Sequence, residues 1–130
     1  MSSESEAPGD PKSPFWVLLL QRDSEEVLYE AAAMTAAAVS LGIAVTLIWF
    51  DGALEALVSG RLAETEGDAR SAGRLLREAR ETGSVRSLAC SASMVGRKLD
   101  RDALAANVDG IVGWPTAISL IREAERSFVW

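Results

Sequence analysis

Two stretches, Phe15–Leu20 and Ile43–Phe50, are apolar almost without interruption. A strand with one wet face alternates polar and apolar residues, whereas an unbroken short run needs cover on both sides. Each run is also shorter than an ordinary helix. The segment between them supplies the link. Asp23-Ser24-Glu25-Glu26 resembles a capping box from Asp23 to Glu26, with acidic residues at the positive end of a helix. Val27, Ala31, Met34, Ala38 and Leu41 then recur at helical spacing, and many alanines among them let a helix lie close on a sheet. Gly42 supplies the stop. Strand, helix, strand, with both strands doubly covered, predicts a right-handed parallel crossover.

The rest of the chain repeats that alternation. Asp51-Gly52 ends the second strand, Ala53–Val58 reads as a short helix, and Ser59–Ala72 as a loop or frayed helix. Gly73–Glu81 carries Leu75, Leu76 and Ala79 and predicts a helix stopping near Gly83. Val85–Cys90 reads as a strand, followed by a short helix through Val95 and a helical turn over Asp100–Ala105. Val108–Gly113 is a weak strand or loop, and Pro115 suits the start of a helix whose apolar face is Ala117, Leu120, Ile121 and Ala124. Ser127–Trp130 closes as a strand. The pattern predicts an α/β fold with a mainly parallel sheet and helices on both faces.

A chain of 130 residues accommodates one such domain. The start, Met1–Pro14, holds three of the four prolines with little apolar content. We therefore expect a disordered N-terminal tail over 1–14 and a single α/β domain over 15–130. The net charge of −6 and the scattering of the 13 basic residues argue against a nucleic-acid partner. Neither a secretory signal nor an apolar run of roughly 18 residues is present, so no membrane association is expected and the cytoplasm is the expected compartment. One cysteine makes no intramolecular disulfide, though it leaves an intersubunit one open. Without histidine, a transition-metal site would rest on carboxylates, and none cluster in sequence. Gly-x-Gly-x-x-Gly and Walker-type loops are absent too, so neither metal nor cofactor is expected.

In parallel sheets ligands gather at the carboxyl ends of the strands. The residues there are Arg22 and Asp23 after the first strand, Asp51 after the second, Cys90 and Ser91 after the third, and Trp114 after the weak fourth. Cys90 is the candidate for chemistry, since a thiol at a strand-to-helix junction faces unpaired N–H groups that favour its thiolate. Ser91 and Ser93 are candidate supporting donors. Arg22 suits steering of an anionic ligand, and Trp114 suits a pocket wall. The structural alternatives stand beside these: Cys90 as a small buried hydrophobe, Asp23 as a helix cap, Asp51 as a turn residue, and Trp114 as a helix anchor.

The opening strand with its Ala-rich helix, the segment Leu41–Gly52, the motif Ala89-Cys90-Ser91-Ala92-Ser93-Met94, and Val108–Gly113 leading into the last helix together resemble the DsrE/DsrF-like superfamily, from Trp16 to Trp130. The resemblance implies a flavodoxin-like three-layer α/β/α sandwich and a homo-oligomer. In the sulfur-relay branch the matching cysteine carries sulfane sulfur as a persulfide, a role that falls on Cys90 alone. Ser93 stands where some relatives have a second cysteine, which speaks against dithiol cycling. The expected function is a sulfur carrier or transferase served by donor and acceptor proteins or small thiols, or thiol-dependent reduction of a small sulfur or peroxide species. The alternative is a non-catalytic oligomeric domain that binds a ligand or partner, with a structural Cys90.

Overall fold

Phe15–Leu20 (β1) and Ala44–Trp49 (β2) pair in parallel along their whole length, from Phe15 opposite Ala44 to Leu20 opposite Trp49. The computed structural model describes residues 14–64 and 71–130; the expectations for the tail before Pro14 and for residues 65–70 fall outside them. Between β1 and β2 runs α1 (Glu25–Ser40), and after β2 come α2 (Asp51–Val58), α3 (Arg61–Glu64) and α4 (Ala72–Thr82). Then follow β3 (Val85–Cys90), α5 (Ser91–Gly96), α6 (Arg101–Asn107), β4 (Gly110–Val112), α7 (Trp114–Glu123) and β5 (Arg126–Val129). The sheet is ordered β4-β3-β2-β1-β5 and every pairing is parallel.

This order dictates how the helices are shared between the faces. Three successive right-handed crossovers step the same way across the sheet, so their helices stack on one face. The fourth connection, α7, must travel back past β1 and lies on the other. The apolar residues divide accordingly. On the crowded face Leu18, Leu20, Leu47 and Trp49 pack with Leu28, Ala32, Leu54 and Leu104. On the thin face Val17, Leu19, Ile48, Phe50 and Cys90 pack against Ala117 of α7. Each large aliphatic side chain fully buried this way contributes about 1.5–3 kcal/mol.

Local chemistry sets the element ends. The N-cap of α1 is Ser24, whose Oγ accepts from the Val27 N–H at 3.2 Å, so the capping role expected of Asp23 falls one residue later. Leu41 is the C-cap of α1 and is 77% exposed rather than part of the apolar face, because the helix has already ended. Gly42 follows with φ 82°, the left-handed conformation that glycine adopts freely. The core positions of α1 that periodicity missed are Leu28, Ala32, Thr35 and Val39; Thr35 is fully buried and donates its hydroxyl to the Ala31 carbonyl at 2.8 Å. Asp51 and Gly52 open α2 instead of forming a separate turn. Asp100 caps α6 by accepting from the Ala103 N–H at 3.1 Å.

Candidate functional site

Ligand crevices in open parallel sheets form where neighbouring strands send their connections to opposite faces. Here that point lies between β3 and β4. The chain leaving β3 through α5 and α6 contributes Met94, Leu99 and Leu104 to the crowded face. The chain leaving β4 enters α7 on the thin face. Cys90 and Val112 are register partners at this edge. A Cβ placed on Gly113 would lie 3.7 Å from Ser91 Oγ, so the two outgoing loops run side by side.

The topology thus brings Cys90, Ser91 and Trp114 together, and it corrects the expectation that the thiol faces the unpaired N–H groups of the following helix. Cys90 is 2% exposed and sits in the thin-face apolar cluster among Val17, Leu19, Ile48 and Phe50. It is the N-cap of α5, yet its side chain makes no capping hydrogen bond. The physical reason is strand parity. Ala89 belongs to the crowded-face cluster and Cys90 to the opposite one, so the sulfur turns beneath α7 rather than over the helix end. Phe50 belongs to the same cluster, and the half-exposed Trp114 stacks on it with ring centroids 5.0 Å apart.

A polar layer borders this apolar one. Buried Ser93 donates to Asp51 Oδ1 at 3.0 Å, joining α5 to the start of α2. Asp51 has φ 44°, a left-handed conformation that a short polar side chain tolerates. Arg97 lies 4.0 Å from that carboxylate and pairs with Glu55 at 3.1 Å. Asp23 accepts from Arg61 at 2.7 Å, and this hydrogen bond holds its carboxyl below the ordinary value. Arg61 also reaches the Asp23 carbonyl at 2.7 Å, tying the loop after β1 to α3. Arg22 is exposed and makes no hydrogen bond or ion pair among the described residues. The structure therefore gathers Cys90, Ser91 and Trp114 in one group and Ser93 with Asp51 in a second. Asp23 serves a loop contact.

Sequence reasoning missed Phe50, Glu55, Arg61 and Arg97. Only Phe50 carried a local signal, as the last apolar residue before Asp51; the other three meet their partners across 38 to 46 residues. Among the described residues, no group of three or more cysteines and carboxylates could hold a metal ion. No helix there is long and apolar enough to cross a membrane.

The sequence model of the DsrE/DsrF-like family matches residues 16–130. The chain belongs to the DsrE/DsrF-like family. Two solved structures share the fold at low identity. MTH1491 of Methanobacterium thermoautotrophicum, described as a protein of unknown function, superposes with a TM-score of 0.63 at 16% identity, covering 89% of this chain and 99% of its own. The ychN protein of E. coli gives 0.62 at 15% identity, covering 91% and 99%. No curated protein matches the chain. In this DsrE/DsrF-like protein the cysteine stands at the end of β3, buried in the apolar cluster that also holds Phe50.

Proposed function

We propose that this DsrE/DsrF-like chain is a sulfur-relay protein whose Cys90 receives sulfane sulfur when Trp114 moves off Phe50. The observation that carries the reading is the position of the only cysteine, at the end of β3 where the connections of β3 and β4 part. Trp114 is half exposed, stacks on Phe50 and belongs to neither core cluster, so turning its side chain aside leaves the core in place. The donor is a persulfide, R–S–SH. The Cys90 thiolate attacks its outer sulfur, and the donor's S–S bond breaks as the new one forms. R–S⁻ leaves with the electron pair, and the proton remains on the transferred sulfur. The step involves no net oxidation, and a downstream thiol reverses it. Homo-oligomers remain part of this reading, supported by half-exposed Trp114 and Ile118 one turn apart on α7.

The test is the intact mass after incubation with a persulfide donor. The expected result is a gain of one sulfur in the native chain and none in Cys90→Ser. Trp114→Ala should gain it faster and should speed alkylation by iodoacetamide. A chain that gains no sulfur and alkylates only on unfolding overturns the reading. That outcome supports a second one, favoured by the 2% exposure of Cys90: a structural thiol in a non-catalytic binding domain. Cys90→Ala should then lower stability by about 1 kcal/mol and leave binding untouched.

A further inference from the structure

Cys90 is buried, so chemistry at its sulfur needs a local movement, and the packing shows which element is free to make it. After β3 the chain is lightly held. Within Ser91–Asp100 only Ser93 is buried, and its side chain is polar. Met94 and Leu99 are no more than partly buried against the crowded-face core. Just past α5, Lys98 has φ 55°, a left-handed conformation disfavoured for a residue with a side chain. Segments with few buried apolar contacts are the ones that open while the rest stays folded.

The start of α2 is the opposite case. Ala53, Leu54 and Ala56 are buried, and the Ala53 N–H donates to the Gln21 carbonyl at 3.2 Å, fastening the first turn to the end of β1. On that rigid support Asp51 takes φ 44°, and its Oδ1 accepts from Ser93 Oγ at 3.0 Å. Ser93 thereby hangs α5 on α2. The ties from Arg97 to Glu55 at 3.1 Å and to Asp51 at 4.0 Å are solvent-exposed and weak on their own.

We infer that Ser93 and Asp51 are a positioning pair whose hydrogen bond latches α5 shut, and that breaking it exposes Cys90. Cys90 is both the last residue of β3 and the N-cap of α5, so a swing of α5 turns the Cys90 backbone with it. Val17, Leu19 and Ile48, which surround the sulfur, lie on paired strands and stay where they are. Trp114 bears on the thiol through Phe50, whereas the latch bears on it through the thiol's own helix. The Ser93 hydroxyl has one proton and gives it to Asp51, so Ser93 acts by position and not as a donor to the thiolate. The latch concerns exposure, and it rests on the sulfur reading only for what the exposed thiol then accepts.

The experiment is alkylation of the full chain by iodoacetamide, read by intact mass at rising urea below the unfolding transition. When reclosing outpaces the reagent, the rate reports how much of the chain is open. A local opening exposes little surface and is flat in urea, whereas global unfolding rises steeply. The native chain should show a flat rate at low urea. Ser93→Ala should raise that plateau about ten-fold, the effect of one hydrogen bond to a charged acceptor. Asp51→Gly, which takes the left-handed backbone without strain, should raise it as much. If Ser93→Ala does not fold, Asp51→Gly carries the test. The double variant should go no higher than either single one, since both changes break the same bond. A rate in the native chain that climbs with urea throughout overturns the inference. So does a plateau that neither single variant raises, or one that the double variant raises by the product of the two. No sulfur donor enters this measurement. A thiol that opens through the latch yet gains no sulfur sinks the sulfur reading alone, and a chain that gains sulfur with its plateau indifferent to the latch sinks the latch alone.

Discussion

Asp109 shows how a single side chain holds a weak element in place. Its backbone N–H donates to the Ser87 carbonyl at 2.7 Å, and its carboxylate accepts from the Ser87 N–H at 2.7 Å. Arg80 grips the same carboxylate from α4. These bonds start the pairing of the three-residue β4 with β3, which composition left as strand or loop. Partial burial pulls the Asp109 carboxyl upward, but the Ser87 and Arg80 bonds outweigh it and hold it below its ordinary value. A depressed carboxylate contributes stability above its unfolded value of about 3.9 and loses it as pH falls through the folded-state value. Asp109→Asn should therefore destabilise the chain near neutrality by no more than about 1 kcal/mol, because the group is partly solvated. In acid the gap should close, as urea melts of both proteins across pH would show. A gap that stays constant through the carboxylate range would mean the ion pair and the charged acceptor contribute nothing.

At the scale of elements, α4 is legible in the sequence while its packing against α1 is not. Periodicity placed α4 over Gly73–Glu81, and the structure extends it by one residue at each end, with Ser71 as N-cap. Its far end lies against α1. A Cβ on Gly83 would collide with Val39 Cγ1, and a β-branched valine in a helix has little rotamer freedom with which to yield. Gly83→Ala should cost about 1–3 kcal/mol by overpacking, read as a lower midpoint in thermal unfolding. A neutral substitution would show that α1 and α4 separate more easily than their packing implies. The helical pattern was visible because it repeats every three to four residues. The close approach was not, since Gly83 and Val39 lie far apart along the chain and a glycine's neighbours leave no local trace.

Across the whole molecule, the strand order produces one crowded face and one thin one. α7 alone covers the thin face, leaving Trp114 50%, Ile118 49% and Val129 64% exposed. Val129 pairs with Leu19, a member of the cluster beneath α7, so these residues share one side of the sheet. If this side meets a second copy, Ile118→Glu should shift sedimentation towards monomer while the fold stays intact. A native chain that sediments as a monomer at all concentrations removes the homo-oligomer from the proposed function. By itself the sequence determined the β-α alternation, the doubly buried strands, the family, and the arrival of Cys90 at a strand end. All of these are read from short-range periodicity and from the order of motifs along the chain. Only the tertiary structure decided that the sulfur lies beneath α7 in one cluster with Phe50 and that Asp51 meets Ser93. Which side of a sheet a residue takes follows from register, and what covers that side follows from how the crossovers close, and both are contacts between residues distant in the chain.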